Sequence, residues 1–284
     1  MRLKIANYHV QLSGIVYPEV VAQISPYMVD ADGPADLFIQ YAENNHIPAP
    51  KGSLCGPYRH CYYQNEPSGM AMYRISKGVE QPLLALHMDK PARHATMEAW
   101  NLEDLMDTKT YLSAQFMLAE CFSYSYLLNK GFVLHGSAIS YRGCGIVFSA
   151  ASGTGKSTHT GLWKQFYPDV EIINDDAPAI YFDNQLPIIC GTPFAGSSGI
   201  NQNQQVPLKA VVFLERSKTN KMVRLSPTQA IPRLLDDIRK PILKPYMAAC
   251  LERADKLLST TPIYLLSCNI SQEAVELVKQ TLQI

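Results

Sequence analysis

The strongest chemical signal in this chain is a short segment of small residues with one lysine. Its residues are Ala150, Ala151, Ser152, Gly153, Thr154, Gly155, Lys156, Ser157 and Thr158. They match a phosphate-binding loop except at Ala150, where a glycine is usual. The two glycines let successive backbone N–H groups point at phosphate oxygens, and a following helix presents its positive N-terminal end to them. Lys156 can neutralise the outer phosphates and Ser157 can offer its hydroxyl to Mg²⁺. Residues 152–158 are therefore predicted to bind nucleotide phosphates; the alternative is a flexible turn between a strand and a helix.

Two adjacent carboxylates form the second signal. Asp175 and Asp176 follow Asn174 at the end of a strand predicted over 170–173. One carboxylate can hold Mg²⁺ while the other accepts a proton from an attacking hydroxyl, which is the division of labour in phosphoryl transfer. Because successive side chains of a strand point to opposite faces, both can serve one site only if the backbone turns, and Pro178 favours such a turn. The alternative is a solvated turn or a helix cap.

A histidine lies on the strand that precedes the loop, in the sequence His135-Gly136-Ser137. A turn at Arg142-Gly143 predicts antiparallel pairing of this strand with the strand that feeds the loop. That pairing puts His135 at the same end of the sheet as the phosphates, where it could orient a carboxylate or share a proton with it. The alternative is a histidine packed in the core.

Two further features are open to two interpretations each. His159 and Trp163 lie four residues apart and share a helix face, which favours packing over a contact with the nucleotide or a second substrate. The segment 191–207 is long and polar for a connection inside a compact domain. We expect it to form a lid that faces the substrate; the alternative is a surface loop.

The elements that must position these residues follow from periodicity and turn signals. Short strands separated by turns are predicted over the first hundred residues, at 3–12, 36–41, 69–76, 83–88 and 95–100. The segment Thr108 to Lys130 has no proline or glycine, which predicts one long helix closed by Gly131. A strand at 144–149 then enters the glycine-containing loop, and a new helix follows it.

The rest of the chain continues to alternate between strands and helices. The pattern predicts a hairpin over 179–189 that turns at Asp183-Asn184, a strand at 209–214, a helix that begins after Ser226, a helix over 246–258, a strand at 263–267 and a last helix capped by Ser271. We therefore expect an α/β (α+β) fold with a β-rich N-terminal region over 1–107 and a nucleotide-binding domain over 108–284.

Composition limits the classes of protein and of partner. The 284 residues include 47% apolar and 18% charged residues, which is a globular balance and excludes disordered, collagen-like and coiled-coil chains. The charges of the 25 basic and 25 acidic residues cancel, so no global field attracts nucleic acid or an anionic membrane, and we expect neither partner.

The cysteines indicate the compartment. Seven cysteines without a Cys-x-x-Cys pair favour free thiols in a reducing cytoplasm. The spacing of Cys55, His60 and Cys61 fits no usual zinc pattern. No signal-peptide core or membrane-spanning stretch is apparent.

The ordered set of motifs resembles a known family. His-Gly on one strand, Ser-Gly-Thr-Gly-Lys-Ser-Thr on the loop and Asp-Asp on the next strand resemble the HPr kinase/phosphorylase family and, more distantly, phosphoenolpyruvate carboxykinases. The stretches 157–163, 191–194, 207–210 and 268–269 look like those of bacterial HPr-kinase-like proteins. The resemblance covers residues 130–284 well and the first hundred weakly. It implies a mixed-sheet nucleotide-binding core of this type with a smaller β-rich N-terminal domain.

By this resemblance, Lys156 and Ser157 would bind nucleotide phosphates and Mg²⁺, Asp175 would be the base, Asp176 a metal ligand and His135 the partner of the base. The carboxyl-terminal signature of true HPr kinases does not follow the aspartate pair, and the residues with which carboxykinases bind oxaloacetate are not found. We therefore do not expect either HPr or oxaloacetate to be the substrate of this protein.

These observations together predict a kinase that depends on ATP and Mg²⁺. It would transfer a phosphoryl group to a hydroxyl, most simply a serine, of a small protein, a peptide or a metabolite. Two alternatives remain: a binding module that uses a nucleotide only as a switch, and a carboxykinase-like enzyme that acts on a small acid. The sequence fixes neither the acceptor, the preference for ATP over GTP, nor the oligomeric state.

Overall fold

A computed structural model of the chain describes residues 1–14, 18–30, 33–44, 46–51, 53–58, 61–75, 81–99, 108–241 and 243–284. The chain forms two compact units, one of residues 1–130 and 240–249 and one of residues 131–239 and 250–284. The division therefore falls at Lys130 and not at the expected 107/108. Among the helices of the described residues, none has the length and apolar character needed to cross a membrane.

The first unit is built on a sheet of eight strands. In chain order they are β1 (Arg2–Ile5), β2 (Tyr8–Gly14), β3 (Leu37–Glu43), β4 (Cys55–Tyr58), β5 (Cys61–Glu66), β6 (Gly69–Ile75), β7 (Pro82–Asp89) and β8 (His94–Ala99). Their order in the sheet is β1-β2-β3-β8-β7-β6-β5-β4, and β3 runs parallel to both β2 and β8. The sheet is therefore mixed, and the expected β-rich character of this region is present.

Two helices belong to this unit, α1 (Pro18–Ile24) and α2 (Thr108–Asn129). The long helix predicted before Gly131 is thus present, and its inner residues are fully buried. Tyr8 of β2 packs edge-on against the rings of Phe122 and Tyr126, and its hydroxyl lies 2.8 Å from Ser125 Oγ. These contacts join α2 to the first sheet, which explains why the helix belongs to this unit and not to the one that follows it.

The predicted strand over 3–12 is wrong in one respect, because the chain turns back on itself there. Ala6 and Asn7 adopt positive φ angles of 50° and 57°, and β1 and β2 pair as an antiparallel hairpin across this turn. The other four predicted strands of this region correspond to β3, β6, β7 and β8 within their described residues.

The second unit contains a nine-stranded sheet. Its strands are β9 (Phe132–Val133), β10 (Gly136–Tyr141), β11 (Cys144–Ser149), β12 (Glu171–Asp176), β13 (Ala179–Asp183), β14 (Leu186–Cys190), β15 (Gln205–Arg216), β16 (Lys221–Arg224) and β17 (Ile263–Cys268). The main path is β12-β10-β11-β15-β14-β13-β9, with β17 beside β15 and β16 beside β17. β11, β15 and β17 run parallel, whereas β10 is antiparallel to both β11 and β12.

The helices of this part of the chain are α3 (Lys156–Phe166), α4 (Pro227–Asp237), α5 (Lys244–Thr260), which begins among the residues of the first unit, and α6 (Gln272–Leu282). Trp163 of α3 and Val275 of α6 are fully buried in one apolar cluster with Ile146 and Phe148 of β11. The strand that enters the glycine-containing loop is therefore anchored in this core. The predicted turn at Arg142-Gly143 is confirmed, with Tyr141 paired to Cys144.

Candidate active site

The glycine-containing loop joins the end of β11 to the start of α3. Gly153 and Gly155 have φ angles of +77° and +123°, a region that residues with a side chain rarely adopt. A Cβ at Gly153 would meet nothing within 4 Å, so the requirement for glycine there is conformational. Ala150 stands where a glycine was expected, but it has no positive φ and its methyl group is buried in the core cluster. The alanine is therefore compatible with the loop.

Lys156, the first residue of α3, reaches back across the loop. Its Nζ donates to the carbonyl oxygen of Ala150 at 2.7 Å and lies 3.0 Å from Nε2 of His135. Because an ammonium group can only donate, Nε2 of His135 is the acceptor in this contact. Burial lowers the pKa of Lys156, while the carboxylates of Asp237, Asp176 and Asp175 act in the opposite direction. Lys156 is therefore a partly buried cation that is close to three carboxylates.

Asp175 lies against the start of α3. The Ser157 hydroxyl donates to Asp175 Oδ1 at 3.0 Å. The register of β10 with β12 places Ser137 directly opposite Asp175, and the Ser137 hydroxyl lies 3.0 Å from that of Thr160 on α3. Since opposite residues of paired strands share a face of the sheet, the face that carries Asp175 is the one that α3 covers. Ser157 and Asp175 thus bring two side-chain oxygen atoms together at the N-terminus of that helix.

Asp176 has different neighbours. Nδ1 of His135 lies 3.2 Å from Asp176 Oδ1, and Nη2 of Arg239 donates to Asp176 Oδ2 at 2.5 Å. Gly196 approaches from the long loop, and a Cβ there would lie 3.1 Å from Cγ of Asp176. The expected partnership of His135 with Asp175 is therefore not what the structure contains: His135 faces Asp176. Gly136 pairs with Asp176, and His135 lies in the bend directly before β10, outside the paired strand.

The backbone turn expected at the two carboxylates is not present, because both lie in β12 and pair in consecutive register with Ser137 and Gly136 of β10. Asn174 precedes them in the same strand. Its buried side chain donates to the Thr192 carbonyl at 2.8 Å and accepts from the backbone N–H groups of Asp176 and Ala177, at 3.1 and 2.6 Å. The sequence predicted a turn at the aspartates from Pro178, but in the structure β12 continues to Asp176 and Pro178 lies between β12 and β13.

Three functional candidates were not singled out from the sequence: Ser149, Asp237 and Arg239. The Ser149 hydroxyl lies 2.5 Å from Asp237 Oδ2, and the backbone N–H of His135 donates to the Asp237 carbonyl at 2.8 Å. Burial raises the pKa of Asp237, although the Ser149 hydrogen bond and the charges of His135 and Lys156 oppose that shift. Ser149 ends β11 directly before the loop, whereas Asp237 ends α4 and Arg239 follows it, so no local spacing links the last two to the loop.

His159 belongs to the core and not to the site. It is 3% exposed, its Nε2 accepts from Trp163 Nε1 at 3.3 Å, and its ring centre lies 4.7 Å from that of Phe148. Burial lowers the pKa of His159 to about 4. The interpretation favoured from the helix spacing, packing, is the one that these contacts support.

The polar loop over 191–207 is divided. Thr192, Phe194 and Ala195 are buried, whereas residues 196–200 are exposed beside Asp176.

The group Cys55, His60 and Cys61 lies in the first unit, and His60 is outside the described residues. Among the residues that the structure does describe, no three histidine, cysteine or acidic side chains are grouped so that they could hold a metal ion, and all seven cysteines are free.

Together these residues define a site on a mixed sheet that combines a glycine-containing loop, a helix N-terminus, a lysine and a pair of carboxylates. Comparison with known proteins adds a family. Residues 101–283 match the family model described as SynChlorMet cassette protein ScmC, and the chain belongs to this family.

Among solved structures, the HPr(Ser) kinase/phosphatase from Coxiella burnetii is similar at 10% identity, with a TM-score of 0.31. The alignment covers 53% of this chain and 88% of that one. A likeness at this level carries no inference about activity. No curated protein matches the chain.

Proposed function

We propose that this protein is a phosphotransferase that uses ATP and Mg²⁺ to phosphorylate a hydroxyl of a small protein, a peptide or a metabolite in the cytoplasm. The observation that most supports the proposal is the separation of the two adjacent carboxylates. Asp175 contacts the serine of the loop, and Asp176 contacts a histidine and an arginine. A site that only binds a nucleotide does not require a second carboxylate in contact with a histidine and an arginine.

The loop supplies the groups that phosphates require. The conformation of Gly153 and Gly155 and the N–H groups in the first turn of α3 suit phosphate oxygens. Lys156 lies at the same place and adds a positive charge against the outer phosphates. In this proposal its present contacts, the Ala150 carbonyl and His135, hold the ammonium group beside the loop.

The residues present fit a magnesium ion bound together with nucleotide phosphates. Mg²⁺ prefers oxygen ligands and is usually held by one or two carboxylates plus substrate phosphates, and Ser157 and Asp175 are such ligands 3.0 Å apart. When bound, the ion would neutralise charge on the phosphate oxygens. This assignment exchanges the roles expected from the family resemblance, because the carboxylate beside the loop serine is Asp175 and not Asp176.

In this proposal Asp176 is the general base. Arg239 donates to one of its oxygens, and Nδ1 of His135 lies 3.2 Å from the other, so the direction of the carboxylate is fixed. In the proposed step the acceptor hydroxyl gives its proton to Asp176, its oxygen forms a bond to the γ-phosphorus, and the bond from that phosphorus to the β-γ bridging oxygen breaks to release ADP. Because the transition state is loose, the main contribution of the carboxylate is orientation of the hydroxyl.

The two aspartates can be separated by paired substitutions. Asp175→Asn, Asp176→Asn and the exposed control Asp183→Asn are compared for ATP affinity with and without Mg²⁺ by calorimetry, and for release of labelled phosphate from ATP. We expect Asp176→Asn to keep affinity within a few-fold and to lower turnover by about 10² to 10⁴. Asp175→Asn should weaken the dependence of affinity on Mg²⁺, and the control should behave as wild type.

Two other results would contradict this proposal. If Asp176→Asn loses the Mg²⁺ dependence and Asp175→Asn loses only turnover, the roles are those that the family resemblance implied. If wild type binds ATP but both variants turn it over as slowly as wild type with every acceptor tried, the phosphotransferase assignment is wrong and a nucleotide-binding switch module takes its place.

A further inference from the structure

A cleft of about 650 Å³ lies next to the loop within the second unit. One wall is the loop itself, residues 150–154. The other walls are the end of β15, residues 213–216, and three side chains of α4, Arg233, Asp236 and Asp237. The volume lies in the range of pockets that hold small molecules and cofactors. The phosphotransferase proposal accounts for the loop but not for the cleft beyond it.

Sheet topology places this cleft on one side of the loop and the carboxylates on the other. In the order β12-β10-β11-β15, the strands with Asp175, Asp176 and the residues after His135 precede β11, and the cleft lies over the strand that follows it. β11, β15 and β17 are parallel, and ligands of such sheets bind beyond the carboxyl ends of the strands. A nucleotide whose outer phosphate faces the carboxylates would therefore extend its other end over β15.

The charges of the cleft indicate which chemical group it suits. Its two cations, Arg216 and Arg233, are accompanied by three carboxylates, Glu215, Asp236 and Asp237. Arg216 is already engaged, since its guanidinium donates to the carbonyl oxygens of Gly153 and Thr154. Such a set does not attract a further phosphate, but it offers hydrogen-bond acceptors to a neutral group with hydroxyl or amino donors. A nucleoside is a group of that kind.

Arg233 supplies a flat surface at this place. Its guanidinium lies 5.9 Å from the centre of the Phe213 ring, and the side chain is exposed, whereas Phe213 is 3% exposed. A planar guanidinium stacks on aromatic rings on either face. With Phe213 beneath it, the open face of Arg233 is available to a second planar ring.

We infer that this cleft binds the nucleoside of the nucleotide, with the base stacked on Arg233 and the ribose hydroxyls toward Glu215 and Asp236. The inference rests on the proposed function, because it requires that the loop bind the phosphates. Arg233 is then a residue that distinguishes a nucleotide from a simple polyphosphate, a distinction that the loop alone cannot make.

The test compares a ligand with a nucleoside and one without. ATP and inorganic tripolyphosphate are titrated calorimetrically in the presence of Mg²⁺ into the full chain and into Arg233→Ala, Arg233→Lys and Lys156→Ala. Arg224→Ala, an exposed arginine of β16 outside the cleft, is the matched control. We expect Arg233→Ala to weaken ATP binding about tenfold and to leave tripolyphosphate binding unchanged. Arg233→Lys should lose most of the same affinity because its ammonium group is not planar.

Three results would overturn parts of the account, and they are distinguishable. If Lys156→Ala abolishes ATP binding but Arg233→Ala binds ATP as the control does, the nucleoside lies elsewhere and the proposed function stands. If Arg233→Lys binds ATP as wild type does, charge and not stacking acts at this position, and the stacking assignment is wrong. If wild type binds neither ATP nor tripolyphosphate, the proposed function itself fails.

Discussion

At the scale of single residues, the contacts of Asp176 determine what its carboxylate can do. The Arg239 side chain is 5% exposed, and its guanidinium group contacts this carboxylate. A buried arginine needs a paired charge, since an unpaired one would cost several kcal/mol. Asp176 supplies that charge, with Nη2 of Arg239 2.5 Å from its Oδ2. The two aspartates are adjacent in the sequence, but their different partners depend on strand register, which one sequence does not reveal.

His159 leads to a prediction about stability and pH. Its pKa is lowered by burial to about 4, against 6.5 for an exposed histidine. Between these values the unfolded chain binds a proton that the native state does not, so stability falls as the pH falls from 6.5 towards 4. Between pH 7 and pH 5 we expect this residue to account for a loss of about 2 kcal/mol.

Denaturant unfolding of wild type and His159→Phe at both pH values measures this effect. The substitution keeps an aromatic ring beside Phe148, and the comparison concerns the change with pH and not the absolute stability. Wild type should lose about 2 kcal/mol more than the variant on acidification. Equal losses would mean that His159 does not remain neutral in the native protein.

At the scale of elements, the site depends on how loops return to the ends of strands. The positions of the glycine-containing loop and of the two carboxylates could be predicted because each is a local pattern at the end of a strand. The capping sequence at Ser226 also predicted the start of α4, where Gln229 Oε1 accepts from the Ser226 N–H at 3.0 Å. The arrival of Asp237 and Arg239 at the site could not be predicted, because it results from contacts between distant segments.

The close approach of Gly196 to Asp176 gives a prediction for the long loop. Gly196 and Gly199 have similar φ angles, +58° and +66°, so alanine would strain the backbone at both. We expect each substitution to cost about 1 kcal/mol of stability. Only at 196 would the new Cβ lie 3.1 Å from the side chain of Asp176, whereas at 199 it would meet nothing within 4 Å.

Gly196→Ala should therefore lower release of phosphate from ATP by about tenfold or more through displacement of Asp176. Gly199→Ala should retain the rate of wild type and serves as the control for backbone strain. Thermal melts of the two variants establish that they are equally destabilised. Equal turnover in both would show that the loop does not determine the position of Asp176.

At the scale of the whole molecule, the chain consists of two units with mixed sheets. The mixed α/β class and the presence of two units could be predicted from alternating strand and helix signals. The order of the strands could not, because neighbours such as β3 and β8 are far apart in sequence. The boundary was also misplaced: α2 begins at Thr108, but aromatic packing against Tyr8 makes it part of the first unit. Hydrophobic packing between distant segments determines such a boundary, and a local pattern does not contain it.

The central claim is that the loop at 150–158 binds ATP for chemistry on its outer phosphate, and the role of Lys156 tests it most directly. Wild type, Lys156→Ala and the control Lys209→Ala, an exposed lysine of β15, are titrated with ATP and Mg²⁺ in a calorimeter after thermal melts establish that all three are folded. The account predicts saturable binding by wild type and by the control, and no measurable binding by Lys156→Ala, because the substitution removes the cation that the loop places against the phosphates. Undiminished heat of binding in Lys156→Ala, or none in wild type, would contradict it.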